Sequence, residues 1–331
     1  MIAIMHPKQS ERGAALLIVI VVMTLVSAAA VAMIDELRFA ARRTGNIRDR
    51  DQAMWHIAGI ESVARRLIER GWRDSPTRST LNDAWATTTA DFPTERGRVA
   101  GRIRDAGNCF NLNALVTVEG PVRLAADDQG IRRFRNLLTA LGFERGRSDA
   151  LAAALTDWID TDFDIQPQGA EDSTYMALSP PYRTGGTLVM DVSELLAVRG
   201  FDAEVVARLR PYVCARPTAG MAVLNVNTLT VAHAPLLVAL IGEDLSVADA
   251  ERAIERRPVA GFESLAAFWS ADELAPFDHE DLRGLTTLAT RVFAVESDVA
   301  VGNARIHALT IVRLELSGET IVETRALGAA L

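Results

Sequence analysis

The chain has 331 residues, enough for one or two hydrophobic cores, and a formal net charge of −8 at pH 7. This acidic balance argues against broad affinity for nucleic acid, because binding to phosphates requires a basic protein surface. Almost all of the positive charge is arginine, since Lys8 is the only lysine.

The first element is an apolar segment, residues 14–34, which has no charged residue and only Thr24 and Ser27 as polar ones. At ~1.5 Å per residue, a helix of this segment is about 31 Å long and can cross the core of a bilayer. The segment exceeds the usual apolar core of a signal peptide, although Ser27 and the alanines after it imitate a cleavage site. Lys8 and Arg12 precede it, which predicts a cytoplasmic N-terminus and a periplasmic remainder.

A helical pattern continues from this segment. No glycine or proline interrupts it before Gly45, and apolar residues then follow helical spacing as far as Gly71. The sequence therefore predicts one long helix whose second half is amphipathic. We expect Trp55 and Trp72 to pack it against a sheet. The apolar side of residues 47–70 serves either as this core face or as a face for a partner.

The start of the apolar segment resembles the leader of a type IV pilin, because Arg12-Gly13 stands directly before it. In that family a prepilin peptidase cuts after this glycine and methylates the new N-terminus. The resemblance implies cleavage between Gly13 and Ala14 and N-methylation of Ala14. Ala14 replaces the Phe that most members carry, and Ile18 replaces a Glu at the fifth mature position.

The missing acid at Ile18 has a physical meaning. A carboxylate inside a membrane is costly unless it is paired. The resemblance implies that the family's Glu pairs with the N-terminal ammonium of a neighbouring subunit. A subunit without it fits the filament tip, where that neighbour is absent. An ordinary membrane anchor also explains Ile18.

Several later segments resemble the type II secretion minor pseudopilin K family (general secretion pathway protein K). They are RRTGNIRDRDQAMWHIAG at 42–59, GNCFNLNAL at 107–115, DWIDTDFDIQPQGAEDSTY at 157–175, PYRTGG at 181–186, DVSELLAVRGF at 191–201 and LNVNT at 224–228. The ordered series, together with the leader and the absent Glu, carries the resemblance. It implies an α+β, type IV pilin-like fold: a long N-terminal helix packed on an antiparallel sheet, with a large helical domain of two units inserted into the sheet.

The residue patterns agree with this fold. Arg98 to Arg104 alternates like a strand, the chain from Ala125 to about Thr286 is typical of helices, and three strands follow, with turns at Gly302-Asn303 and Ser317-Gly318. The predicted parts are a leader at 1–13, a transmembrane or filament-core helix at 14–34, a first pilin-like part at 35–120, a helical insert at 121–286 and a second pilin-like part at 287–331.

The predicted insert contains an internal repeat. Asn111–Leu115 resembles Asn225–Leu229, and LLTALG at 137–142 resembles LLVALIG at 236–242. The second unit also resembles the helix-hairpin-helix units of DNA-uptake proteins, which gives an alternative function as a membrane-anchored DNA-uptake protein. Such hairpins bind phosphate through a Gly-x-Gly turn, but the matching turn here, Gly242-Glu243-Asp244, carries two acids. Nucleic acid is therefore not an expected partner.

Acidic residues cluster between positions 157 and 172. Clustered carboxylates repel one another unless a cation neutralises them, and hard oxygen ligands suit Ca²⁺. The spacing is not that of an EF-hand, and a solvated acidic loop is the alternative. The family resemblance implies calcium in the helical domain. The predicted ligands are Asp160, Asp162, Glu171 and Asp172, with Asp157 as a further member.

Motifs of enzymes are missing from the sequence. It has no HExxH, GxSxG, Walker A or GxGxxG pattern, and its five histidines are scattered. We therefore expect no enzymatic activity. An anchored periplasmic hydrolase using Asp157 and Asp160 is the remaining enzymatic reading.

The two cysteines, Cys109 and Cys214, either form a disulfide or remain buried thiols. A disulfide requires a location outside the cytoplasm and suitable geometry. The sequence leaves both alternatives open.

The resemblance implies a minor pseudopilin that caps the pseudopilus tip with two other minor pseudopilins, I and J, and supports export across the outer membrane. The prepilin peptidase and the inner membrane are further expected partners, and exported substrates are a class that the tip could meet. The expected location is the inner membrane, with a single pass, and the pseudopilus tip after assembly.

Overall fold

The computed structural model describes residues 9–120, 123–277 and 279–328. Its α-helices are α1 Gln9–Asp74, α2 Ala84–Thr87, α3 Asp128–Ala140, α4 Arg145–Ile159, α5 Asp172–Met176, α6 Ala203–Leu209, α7 Ala234–Ile241, α8 Val247–Glu255, α9 Leu265–Trp269 and α10 Glu280–Arg283. Short 3-10 helices lie at Leu112–Leu115, Val192–Ala197, Val231–His233 and Ala275–Phe277. The strands are β1 Thr89–Thr94, β2 Gly97–Asp105, β3 Phe110–Asn111, β4 Val116–Glu119, β5 Arg123–Ala126, β6 Val213–Cys214, β7 Leu224–Asn225, β8 Thr286–Thr287, β9 Val292–Val301, β10 Ala304–Leu314 and β11 Thr320–Gly328.

One antiparallel sheet joins the two ends of the chain. Its strand order is β1-β2-β9-β10-β11, so β2 and β9 are neighbours although the whole helical region separates them in sequence. The chain leaves the sheet after Asp105 and returns at Val292. The insert predicted at 121–286 therefore starts earlier and ends later, at 106–291. Residues 107–120 belong with it, because β3 pairs with β6 and β4 pairs with β5.

The second half of α1 covers this sheet. Ala53, Ile57, Ala64 and Ile68 recur at helical spacing, are fully or almost fully buried, and pack with apolar residues of β2, β9 and β10. This stripe is the core face, so it is not available to a partner. Trp55 lies off the stripe and is 79% exposed, which shows that its predicted packing on the sheet was wrong.

Trp72 does pack against the core between α1 and the sheet. A side chain at Gly318, in the β10–β11 turn, would overlap the Trp72 ring, and Gly318 has a φ of 87°. Gly302, in the β9–β10 turn, has a φ of 54°, and a side chain there would overlap the Asp49 carboxylate. Both turns therefore require glycine for conformation and for the close approach of α1.

The first half of α1 projects away from the sheet. An 18-residue window of this helix has a mean hydropathy of 2.9, and none of it is buried. Among the described residues this is the one helix that is long and apolar enough to cross a membrane. The predicted apolar helix and its continuation into the amphipathic half are thus one element.

The insert consists of two related units, as the sequence repeat predicts. In the first unit β3 runs parallel to β6, and in the second β7 runs parallel to β8. The Asn113 side chain accepts a hydrogen bond from Val189 N (2.8 Å) and donates one to Val189 O (2.9 Å). Asn227 does the same with Phe262 N (2.6 Å) and Phe262 O (3.1 Å). Equivalent asparagines thus hold an equivalent later segment in each unit.

A single hydrophobic core runs through both units, from Phe110 to Leu274. At one end of it Cys109 and Cys214 form a disulfide, with their Cα atoms 5.8 Å apart. The bond joins the start of the insert to β6. It therefore closes the loop of chain that contains the whole first unit.

Candidate functional site

The residues of the predicted processing site lie at the exposed end of α1. Gly13 and Ala14 are exposed, and Ile18 is 64% exposed. The stretch from 13 to 34 carries no acidic residue that could pair with an ammonium group inside a membrane. Cleavage after Gly13 and methylation of Ala14 stay predictions.

The acidic cluster forms where α4 ends and α5 begins. Asp160 follows the last residue of α4, and Glu171 directly precedes α5. The loop between them folds back, so that one carboxylate oxygen from each of Asp160, Asp162 and Glu171 lies within 4.8 Å of the others. Asp160 is 2% exposed and Glu171 5% exposed, so the cluster is closed on its inner side.

The buried oxygens of this cluster lack partners. Both carboxylate oxygens of Asp160 and Oε1 of Glu171 are buried without a hydrogen bond within the described chain. Burial, together with the negative charges of Asp162 and Asp157, raises the pKa of Asp160 to about 8. Burial also raises the pKa of Glu171. Unpaired buried carboxylates are costly, and a hard cation would satisfy them.

The other two predicted ligands are held by different groups. The fully buried carboxylate of Asp157 accepts a hydrogen bond from Gln166 N (3.1 Å). The carboxylate of Asp172 accepts from Thr184 N (2.9 Å) and Thr184 Oγ1 (2.9 Å), and Arg183 lies 3.3 Å from it. The structure therefore brings three of the five predicted residues together, while Asp157 and Asp172 shape the surrounding loop.

The sequence of the loop explains its fold. Gln168 has a φ of 69°, a left-handed conformation, and Gly169 N donates to Gln166 O (2.7 Å) to close the turn. A side chain at Gly169 would overlap the Asp157 carboxylate. Arg199 Nη1 donates to Gly169 O (3.0 Å), which ties the loop to the chain after the 3-10 helix at Val192–Ala197. The small residue after Gln168 was the sequence signal for this close approach.

Sequence reasoning missed a second polar centre, at the junction of insert and sheet. Asp105 is the last residue of β2, and Oδ2 of its buried carboxylate accepts hydrogen bonds from Thr228 Oγ1 and Thr290 Oγ1, both at 2.5 Å. Burial raises its pKa, against the opposing effect of these hydrogen bonds. Asn108 adds a hydrogen bond from its side chain to Thr228 Oγ1 (2.8 Å). The interrupted alternation at the end of β2 was the only sequence signal.

The chain matches two family models, both described as type II secretion system (T2SS), protein K. They match residues 108–218 and 224–287, which correspond closely to the two units of the insert. The chain is 37% identical over 310 residues to type II secretion system protein K of Klebsiella pneumoniae, covering 94% of both chains. It is 34% identical over 315 residues to the protein K of Pectobacterium carotovorum subsp. carotovorum, covering 95% of both.

A solved structure also resembles the fold. It is the crystal structure of the GspK-GspI-GspJ complex from the type 2 secretion system of enterotoxigenic Escherichia coli. The TM-score is 0.75 at 28% sequence identity, and the match covers 87% of this chain and 100% of the other. These matches support the minor pseudopilin role and not the DNA-uptake alternative. The chain therefore belongs to the type II secretion system protein K family.

Proposed function

We propose that this minor pseudopilin caps the tip of the type II secretion pseudopilus with minor pseudopilins I and J, and in this way supports protein export across the outer membrane. It acts as a structural subunit and performs no catalysis. The observation that carries the proposal is the combination of a bare apolar helix with a bulky insert on one pilin-like sheet. The similarity to the chain in the GspK-GspI-GspJ complex supports the choice of partners.

The insert explains the position at the tip. It has its own hydrophobic core and occupies residues 106–291, between two adjacent strands. Subunits in a thin shaft are closely packed along the filament, so a second body of this size on each would collide with neighbours. A single copy at the end avoids this collision on one side.

The first half of α1 explains the route to the tip. The 14–34 segment holds the precursor in the inner membrane, with the N-terminus in the cytoplasm and the insert in the periplasm. The disulfide between Cys109 and Cys214 fits an oxidising compartment. After the prepilin peptidase has cut at Gly13, the same helix packs in the filament. Because Ile18 supplies no carboxylate, this subunit does not need to pair with the N-terminal ammonium group of a neighbouring subunit.

We also propose that Asp160, Asp162 and Glu171 hold a calcium ion, since their buried oxygens fit such a ligand set. Three carboxylates that bind with one or two oxygens each supply a large part of the six to eight oxygens that Ca²⁺ takes. Bound calcium would neutralise the cluster. It would thereby fix the loop between α4 and α5, which lies on the insert.

The tip position is tested by labelling. The full chain carries an epitope at the exposed Val259, in the insert, and pseudopili that also contain I and J are viewed by electron microscopy after gold labelling. We expect one label at one end of each filament and a complex of the chain with I and J on purification. Labels distributed along the shaft would refute the proposal.

A further inference from the structure

A groove crosses the insert where its two units meet. It lies between α3 and α4 of the first unit and α7 and α10 of the second, and has a volume of about 600 Å³. This size is in the range of sites that bind small molecules or short peptide segments. The acidic cluster is not part of its lining.

Arg133 on α3 is the unusual residue of this groove. It lines the groove but is only 8% exposed, and no described residue forms a hydrogen bond or ion pair with its guanidinium. Buried charges in proteins are normally paired, because an unpaired one loses its hydration without compensation. The Arg133 nitrogens are not among the fully buried atoms without a partner, so its guanidinium opens into the groove while the rest of the side chain is buried.

The other charges of the groove do not supply this partner. Arg135 pairs with Asp149 at 3.1 Å, and Arg145 pairs with Glu243 at 2.5 Å. Arg132, on the rim, is exposed and has no ion pair with a described residue. Two positive charges, together with the negative charge of Asp281, thus have no ion pair with a described residue in the groove.

Two acidic side chains act on the charge of Arg133 from a distance. Burial lowers its pKa, whereas the negative charges of Asp127 and Asp281 raise it. Neither of these acids lies within ion-pair distance of Arg133. An arginine stays charged under these conditions, so the groove presents a guanidinium without an ion-pair partner to any ligand that enters.

The remaining lining indicates which kind of anion fits. Leu240 and Leu282 give the groove an apolar side, and the side-chain amides of Gln129 and Asn136 form no hydrogen bonds with described residues. Asp149, Glu243 and Asp281 also line it and would repel a doubly charged phosphate. A singly charged carboxylate flanked by apolar groups meets less repulsion and more contact.

We propose that this groove binds an acidic segment of a protein partner, with one Asp or Glu carboxylate placed on the Arg133 guanidinium. The planar guanidinium can donate two parallel hydrogen bonds to a carboxylate, and such bidentate pairs are strong and directional. The apolar side then holds the residues that flank the acid. The surface is separate from the α1 face that packs on the sheet.

The first test measures thermal unfolding of the full chain in detergent micelles. If Arg133 is retained for binding, Arg133→Met removes an uncompensated buried charge and raises the melting temperature by at least ~2 °C. The control Arg132→Met, at the exposed neighbour, shifts it by less than about 2 °C. A fall in melting temperature for Arg133→Met would show that Arg133 is a structural residue and would overturn the proposal.

The second test measures binding of two matched peptides, Ac-Ala-Leu-Glu-Leu-Ala-NH2 and its Gln analogue, by NMR titration of the full chain. A charge-assisted pair makes the Glu peptide bind roughly tenfold or more tightly than the Gln peptide. Arg133→Met abolishes this difference, and Arg132→Met keeps most of it. The proposal is refuted if the Glu peptide does not bind, or if both peptides bind equally. It is also refuted if Arg133→Met still prefers the Glu peptide, or if inorganic phosphate binds more tightly than that peptide.

Discussion

Asp157, Asp160 and Glu171 are all buried carboxylates, yet the groups around them differ. Asp157 accepts hydrogen bonds from backbone amides of the loop that follows α4. Asp160 accepts none, and one oxygen of Glu171 is equally unsatisfied among the described residues. Since a buried acceptor without a partner is costly, Asp160 and Glu171 are the groups that a cation would satisfy, and Asp157 is the residue that shapes the loop.

The first prediction concerns Glu171→Gln. Gln keeps the oxygen that accepts from Asp172 N (3.2 Å) and so preserves the start of α5, but it removes the charge. A ligand present at 100 times its Kd stabilises the folded state by about 2.7 kcal/mol, or roughly 4 °C for a protein of this size. We expect calcium to raise the melting temperature of the wild-type chain by this amount and to leave that of Glu171→Gln unchanged.

Glu263→Gln is the matched control for this experiment. Glu263 is an exposed glutamate in the second unit, outside the acidic cluster, so its variant removes one negative charge without touching the site. We expect it to respond to calcium like the wild-type chain. A full calcium response in Glu171→Gln would contradict the ligand assignment.

The second prediction concerns pH. The pKa of Asp160 is about 8 in the folded chain but about 3.9 in an unfolded one, so between these values the folded state holds a proton that the unfolded state has lost. Stability therefore falls as pH rises across this interval. In the presence of a chelator, we expect the melting temperature to be lower at pH 8 than at pH 5.

Calcium should reverse this trend, because the ion replaces the proton and binds better as pH rises. Asp160→Asn removes part of the fall seen in chelator, and the raised pKa values of Asp157 and Glu171 account for the rest. A wild-type melting temperature in chelator that is equal at pH 5 and pH 8 would show that the cluster is solvated and ionised.

The acidic cluster shows what sequence can predict at the scale of residues. Proximity in sequence was enough to expect Asp160, Asp162 and Glu171 near one another. Asp157 and Asp172 are separate from them because backbone amides of the loop donate hydrogen bonds to these two carboxylates. The direction of a backbone amide cannot be read from the pattern of side chains. The Asp105 centre was missed for a different reason, since the hydroxyls of Thr228 and Thr290 reach it from distant parts of the chain.

At the scale of elements, the predictable parts were those long enough to show a regular pattern of apolar residues. Alternation identified β2 and the three C-terminal strands, and helical spacing identified α1. β1 was missed because its TADFPT sequence does not alternate and contains Pro93, which only an edge strand tolerates. β3 and β6 have two residues each, too few for any period, so the start of the insert was placed too late.

The third prediction concerns proteolytic processing at the start of α1. When the full chain is co-expressed with a prepilin peptidase, we expect an N-terminal peptide that begins at Ala14 and carries one methyl group. The physical reason is that an exposed Gly13 at the edge of the apolar segment gives a protease access to the backbone. Mass spectrometry of the peptide is the measurement.

Gly13→Leu serves as the control, because a bulky side chain next to the scissile bond should block the cut and leave the leader in place. A wild-type chain that keeps its leader beside an active peptidase would contradict the pilin-like pathway. A cut near Ala30 would instead indicate a signal peptide.

At the scale of the whole molecule, hydrogen bonds join the pilin-like part to the insert, whereas the disulfide lies within the insert alone. The Asp105 centre links β2 to the second unit through Thr228. The Cys109–Cys214 disulfide closes the first unit, with a sequence separation of 105 residues, and the acidic cluster lies inside that closed loop. The disulfide and the proposed calcium ion therefore constrain the same unit.

The fourth prediction follows from this shared unit. Closing a 100-residue loop removes entropy from the unfolded chain worth about 4.7 kcal/mol at most. We expect the double variant Cys109→Ser/Cys214→Ser to unfold at lower denaturant than the wild-type chain, and a reductant to lower the stability of the wild-type chain but not of the variant. Calcium should recover part of the loss, because it still fixes the loop between α4 and α5 in the open first unit. Two reactive thiols in unreduced, denatured protein would refute the disulfide. A variant as stable as the oxidised wild type would instead mean that residual structure already restricts the unfolded chain as strongly as the bond does.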